Sequence, residues 1–398
     1  MKAITRTIWI LSLVSLFNDI ASEMLLPIMP IYLKSIGFTV VIIGVLEGLA
    51  EAVSSLSKGY FGKISDKYGH RAAFVKWGYA LSAISKPIMV LFVNPVWVFF
   101  SRTLERLGKG IRTAPRDAIL ADESANSDRG RVFGFHRSMD TVGAAIGPSI
   151  ALLYLYFHHE QYKTLFYISF FPGIIVVLLT LGLKDKNKGE IKTKQEQKNR
   201  VGFFSQFKYW KESTPAYRAL VSGLLFFALF NSADAFLILK MKESGINDTM
   251  VIIIYIFYNL VFALTAFPVG IIGDKVGLKA MMIIGLVIFG AVYFGIAFAN
   301  SKVTYFILFF YYGLYYACTD GISKAWISKT CEKKDTATAL GVFSGLQSIC
   351  TFIASSLAGL IWYKFGSVYV FCIAGAVAFL VIVYLLFSKL LITSKPSL

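Results

Sequence analysis

Six charged residues on one helical face make up the densest chemistry in this sequence. From Arg102 to Asp122 the chain reads RTLERLGKGIRTAPRDAILAD, inside a region otherwise apolar enough to cross a bilayer. At 100° per residue, Arg102, Glu105, Arg106, Lys109, Arg112 and Arg116 fall within an arc of about 120°. Each charge at a bilayer centre costs on the order of 3 kcal/mol. Such a stripe persists only where it faces water, a solute or opposite charge, which makes it one wall of a polar path. Acids come from the two apolar runs nearest the start of the chain. Ser12, Ser15, Asp19 and Glu23 share one face of the first run; Glu47, Glu51, Ser54 and Lys58 share one face of the second. Asp19 and Glu23 are expected at the depth of Arg102 and Arg106, neutralising them in part. A permanent ion network that only builds the scaffold is the competing explanation.

Other candidates are thinner. His136 and Asp140 stand one turn apart, with Gly143 and Gly147 continuing their face. A carboxylate beside an imidazole can relay protons; the alternative is a His136 that is merely wet at a membrane interface. Later in the chain come Asn231, Asp234, Asp320 and Lys324. Asp320 and Lys324 are one turn apart and can pair, whereas Asp234 has no local partner and is a candidate for substrate or proton contact. Nothing suits hydrolysis: there are four histidines in all, no nucleophile motif and no metal-spaced cluster. Neither an enzyme, a bound metal nor a cofactor is expected.

These residues need elements to hold them, and the composition says which. The 398 residues are 56% hydrophobic and 16% aromatic, with a mean hydropathy of +0.64, which places the chain in a lipid bilayer. A net charge of +17 would suggest nucleic acid in a soluble protein; here the excess lies in short loops and one linker, so no nucleic-acid partner is expected. Twelve spans are expected at 8–33, 40–61, 73–93, 96–118, 132–157, 164–183, 217–239, 249–272, 280–299, 303–328, 338–362 and 368–391. The first is long enough to stay in the membrane rather than be cleaved. Between the sixth and seventh lies KDKNKGEIKTKQEQKNR, almost without apolar residues. It divides the chain into a six-helix bundle at 1–183, a linker at 184–216 and a second six-helix bundle at 217–398. Lys63, Lys67, Arg71, Arg129, Arg131, Lys275, Lys279, Lys333 and Lys334 fall on the linker's side, so both termini and the linker are expected in the cytoplasm. Cys318, Cys331, Cys350 and Cys372 are widely spaced and read as reduced packing residues.

The halves repeat one another. Gly62, Asp66, Lys67, Gly69 and Arg71 follow the second span; Gly270, Asp274, Lys275, Gly277 and Lys279 follow the eighth at a constant offset, and Leu16-Phe17-Asn18 is echoed by Leu229-Phe230-Asn231. A repeat of six spans lets two similar bundles rock about a shared site.

The chain resembles the major facilitator superfamily over nearly its whole length. The family's loop after the second helix (G-x-x-x-D-[RK]-x-G-[RK]-[RK]) is matched at Gly62, Asp66, Lys67, Gly69 and Arg71, with His70 at one basic position. The fourth-helix pattern (R-x-L-q-G-x-G-x-G) is matched at Arg102, Leu104, Gly108 and Gly110, and the following D…R-G-R at Asp122, Arg129, Gly130 and Arg131. The resemblance implies an all-α membrane protein of twelve transmembrane helices in two pseudo-symmetric six-helix bundles. It also implies that Asp66 latches one access state, with Asp274 its second-half counterpart; a solvated turn that only sets topology is the alternative. Gly143, Gly147 and Pro148 resemble a G-x-x-x-G-P motif associated with antiporters, and would equally serve as plain helix packing. The expected function is proton-coupled export of a small organic solute, anionic or amphiphilic, by a drug-efflux-like monomer in the inner membrane of a prokaryote. Inward transport of an anionic metabolite is the alternative, and a non-transporting membrane sensor a remote one.

Overall fold

The computed structural model describes residues 4–388 except 27, 30–31, 34–35, 39, 159–160, 186–207 and 232–233. All the regular structure described is helical: α1 (Arg6–Glu23), α2 (Val40–Tyr68), α3 (Arg71–Met89), α4 (Pro95–Glu123), α5 (Arg129–Phe157), α6 (Tyr162–Ile168), α7 (Phe170–Leu181), α8 (Tyr209–Glu212), α9 (Pro215–Ala228), α10 (Ala235–Glu243), α11 (Asp248–Val276), α12 (Leu278–Phe298), α13 (Lys302–Thr330), α14 (Thr336–Phe365) and α15 (Ser367–Phe387). Polar residues start several of them. Thr5, Thr214 and Asn247 accept from the N–H three residues on, and Pro215 opens α9 where no donor is needed.

Three expected spans are not continuous helices; the sixth is interrupted only at Ser169, between α6 and α7. α1 stops at Glu23 and passes into turns, just ahead of Pro27 and Pro30, which cannot donate to a helical ladder. The seventh span is split into α9 and α10, with Asn231 and Asp234 at the break. Among the described residues, six helical stretches are long and apolar enough to cross a membrane: 126–157, 162–181, 253–276, 278–298, 333–365 and 367–387. Among the long helices outside that set, α2, α3, α4 and α13 carry Lys58, Lys86, the Arg102–Arg116 stripe and Asp320. Outward faces are apolar: Leu152, Leu153, Phe171, Leu178, Phe352 and Leu360 are all well exposed, as lipid contact requires.

The residues cluster into two compact units that do not follow the linear division at 183 and 217. One comprises Met1–Glu123, Gly143–Glu212 and Cys331–Gly345; the other comprises Ser124–Val142, Ser213–Thr330 and Leu346–Leu398. In the first, α4 packs against α2 and α3; in the second, α13 packs against α11 and α12, so the fourth member of each repeat has equivalent neighbours. The exchanged segments have a physical cause. The start of α14 lies on α2, where a Cβ on Gly62 would strike the Ala337 carbonyl and one on Gly345 would come 2.7 Å from the Ser55 carbonyl. The start of α5 lies on α11: a Cβ on Gly134 would strike the Ala266 carbonyl, and Ser138 Oγ donates to the Ala263 carbonyl. Small residues at every fourth position let these backbones meet.

Gly134→Ala is therefore expected to lower stability by about 1–3 kcal/mol, because the clashing atom belongs to backbone and cannot swing aside. Gly359→Ala, whose Cβ would meet only Phe236 Cζ at 3.9 Å, is the control and should melt as the wild type does. Thermal unfolding of the detergent-purified variants checks both.

Candidate functional site

Two glycines set α4 in place. A Cβ on Gly108 would come 2.6 Å from the Gly78 carbonyl and 2.7 Å from Ser82 Oγ, both on α3, while one on Gly110 would come 3.0 Å from the Ser54 carbonyl of α2. This contact brings Tyr79, Ser82 and Lys86 of α3 to the charged face of α4. Arg112 is buried there. Its Nη1 donates to Ser82 Oγ, its Nη2 donates to Asn18 Oδ1 at 3.2 Å, and its guanidinium carbon lies 4.4 Å from the Tyr79 ring centroid. Asn18 in turn donates to Asp19 Oδ1 at 3.1 Å. Lys86, only 2% exposed, donates from Nζ to the Ser82 carbonyl at 3.3 Å. Two buried cations thus meet at one serine, and among the described residues neither forms an ion pair.

The rest of the stripe is treated differently along its length. Arg102 is buried and pairs with Glu105 on the same helix. Lys86 and Arg106 are the next charges to act on Glu105. Arg116 pairs with the buried Asp117 at 2.9 Å and reaches Ser15 Oγ and Tyr79 Oη at 3.5 Å. Arg106 is half-buried and Lys109 exposed. Asp19 and Glu23 lie on α1, Asp19 against the Asn18 amide. Glu47 and Glu51 lie within α2, but their side chains fall outside the described residues.

The two aspartates expected in loops instead lie in the last turns of α2 and α11, at equivalent positions. Asp66, beyond the expected end of its span, accepts from the N–H of Ala337 at 3.3 Å and of Thr338 at 2.7 Å, the second and third residues of α14, and from Thr338 Oγ1 at 2.8 Å. Arg71 donates to Asp66 Oδ1 at 2.5 Å and pairs with Asp122. Burial alone would lower the Arg71 pKa; the carboxylates of Asp66 and Asp122 outweigh it and hold the guanidinium above its ordinary value. Asp274 accepts from the N–H of Gly130 at 2.9 Å and of Arg131 at 2.7 Å, the second and third residues of α5, with Lys329 Nζ 3.9 Å away. Each carboxylate sits on the positive end of a helix. Gly62 serves by close approach; Gly69 serves by its φ of 71°, which closes the turn. Lys67 lies 5.8 Å from the Tyr68 ring centroid, and His70 lies on the exposed side near Asp185.

On α5, His136 is buried rather than wet at an interface, and Asp140 is buried beside it. Arg137 pairs with Asp140 and lies 2.9 Å from Asp320 Oδ2 on α13, so Arg137 answers Asp320. Gly143 and Gly147 let α5 approach α1: a Cβ on Gly147 would come 2.7 Å from the Ile20 carbonyl, and Pro148 stands within the helix. In the second unit, Asp234 accepts from Tyr258 Oη at 2.8 Å, Tyr312 Oη at 2.8 Å and Tyr316 Oη at 3.1 Å.

A paired set of helix-start aspartates, at one offset in two repeats of an all-helical chain, is a family signature. The family model of the major facilitator superfamily matches residues 11–247 and 219–397. The chain belongs to the major facilitator superfamily. A relative from Methanocaldococcus jannaschii, described as an uncharacterised MFS-type transporter, is 32% identical over 91% of this chain and 89% of its own. A multi-drug resistance efflux pump PmrA homolog of Lactococcus lactis is 22% identical over 90% of each chain. The crystal structure of the fucose:proton symporter FucP of E. coli superposes with a TM-score of 0.78 at 13% identity, covering 97% of this chain and 99% of that one; this likeness shows the fold. The protein is a multi-pass membrane transporter, not an enzyme.

Superfamily motifs point to Asp66 and Gly108, but not to the partners. Lys86 stood in the sequence as a lysine well inside a span, with Lys76 nearer its start. Arg137 was visible one residue from His136. Tyr258, Tyr312 and Tyr316 carried no such signal, because tyrosine in a membrane helix reads first as packing.

Proposed function

We propose that the protein exports a small organic solute bearing an anionic group, in exchange for protons, across the cytoplasmic membrane of a prokaryotic cell. One observation carries this reading: Arg112 and Lys86 are buried cations sharing Ser82, with no ion pair among the described residues. A charge inside membrane helices that lacks a direct ion pair is costly, and a solute anion supplies that contact. A guanidinium offers parallel donors that fit a carboxylate, sulfonate or phosphonate. Asp19, linked to Arg112 through Asn18, and Glu105, paired with Arg102, are the carboxyls placed to exchange protons as the bases change partners. Outward transport draws support from the efflux-pump relative of Lactococcus lactis and from the Gly143–Pro148 motif. The two repeats, 1–183 and 217–398, are the moving bodies, joined by the cytoplasmic linker 184–216. Asp66 and Asp274 hold the linker-side ends of α14 and α5, and a single chain suffices.

Everted membrane vesicles containing the protein, energised to an acid lumen, test the reading. A panel of membrane-impermeant sulfonates and phosphonates should include one that dissipates the gradient, followed with a pH-sensitive dye, and accumulates inside. Vesicles lacking the protein should not respond. Accumulation that instead needs an alkaline lumen would assign uptake, and a panel without any protein-dependent response would remove the anion.

A further inference from the structure

We propose that the Asp234 cluster is a binding site for a small organic cation, an alkylammonium group. The site stands on residues of the second compact unit alone and does not depend on the anion reading above. It begins with the break between α9 and α10. Asp234 is the residue before the first turn of α10, where an aspartate ordinarily turns its carboxylate onto its own helix start. Here the side chain makes no such bond. Both carboxylate oxygens are given instead to tyrosines of two other helices, Tyr258 on α11 and Tyr312 and Tyr316 on α13.

Three neutral donors stabilise a carboxylate as an ion but leave its charge uncompensated. Among the described residues no lysine, arginine or histidine forms an ion pair with Asp234. A lone negative charge inside a membrane span calls for a positive partner. The surroundings specify what kind. The rings of Tyr258, Tyr312 and Tyr316 stand 5.1–6.1 Å apart, centroid to centroid, around the carboxylate. Phe262 closes one side, 5.4 Å from Tyr316. Tyr312 and Tyr258 are buried, whereas Asp234 and Tyr316 are partly open, so a ligand arrives on their side. A carboxylate flanked by π-faces holds an alkylammonium by charge and by cation–π attraction together. The neighbouring Asn231 donates to Tyr315 Oη at 3.1 Å and accepts from Tyr293 Oη at 3.3 Å, which locks the other side of the break and leaves the Asp234 side to the ligand.

Choline is a suitable probe, with 3,3-dimethylbutan-1-ol as its uncharged isostere. Equilibrium dialysis of labelled choline against the purified full chain, at fixed ionic strength, should give saturable binding. Asp234→Asn should weaken it at least tenfold and Tyr312→Phe several-fold, and the alcohol should not compete. Should Asp234→Asn fail to fold, Tyr316→Phe, which keeps the ring and loses one donor, gives the same comparison. Absence of saturable binding to the wild type, equal competition by the alcohol, or binding unchanged in the variants would overturn the proposal. Displacement of choline by sodium ion at constant ionic strength would overturn it too, since it would make the site one for a simple metal cation.

Discussion

Arg112→Met should leave a folded protein that no longer transports. The two effects separate because of what touches the guanidinium: Ser82, Asn18 and the Tyr79 ring, all neutral, with the acids Asp19 and Glu105 acting on it without a direct ion pair. Removing a buried charge that has a carboxylate partner strands the partner and costs several kcal/mol, whereas exchanging an unpaired one for a well-packed apolar side chain is often neutral or stabilising. Arg112→Met should therefore melt within about 1 kcal/mol of the wild type, the lost bonds of Ser82 and Asn18 being offset by the desolvation no longer incurred. Apparent affinity for the anion should fall by about 3 kcal/mol, roughly a hundredfold. Arg112→Lys should fall between, keeping charge but losing the planar fork. A scaffold role predicts the reverse pattern, with stability lost and affinity retained. The vesicle assay and a thermal melt, run on the same preparations, decide it.

That contrast shows what a sequence can and cannot disclose about such a site. The stripe on α4 was legible because six charges on one arc are too costly to be accidental. The paired positions of Asp66 and Asp274 were legible because a constant offset survives divergence of the residues around them. The breaks in the first and seventh spans were not, since hydropathy averages over about twenty residues and absorbs a proline pair or an Asn231–Asp234 interruption. Nor was the fate of the charges. Spacing put Arg102 and Glu105 on one face, but only packing pairs them and leaves Arg112 bonded to Ser82 and Asn18. Tyrosines were hardest: their rings pack like any aromatic side chain, and only the position of Asp234 in space turns three hydroxyls into a site. The exchange of Ser124–Val142 and Cys331–Gly345 between compact units depends on contacts far apart in sequence, such as Gly62 with Ala337, which no local pattern carries.

Asp66→Asn is expected to be the most damaging single-atom exchange in the first unit. The Asp66 side chain is only 5% exposed and accepts from Arg71, from two N–H groups of α14 and from Thr338 Oγ1. An asparagine keeps one acceptor and turns an NH2 group toward those donors. Breaking a buried pair in this way costs about 3–5 kcal/mol. Asp274→Asn should cost less, about 1–3 kcal/mol, because its nearest cation, Lys329, stands 3.9 Å away and contributes little. The site of the damage can be read as well as its size. Cys331, partly exposed, lies next to the first turn of α14, its Sγ 4.0 Å from Thr336 Oγ1. With Cys318, Cys350 and Cys372 replaced by serine, Asp66→Asn should speed labelling of Cys331 by a bilayer-impermeant maleimide, as α14 comes away from α2. A lower melting temperature with an unchanged labelling rate would make Asp66 a piece of scaffold, since a latch that is released must let the helix it held be reached.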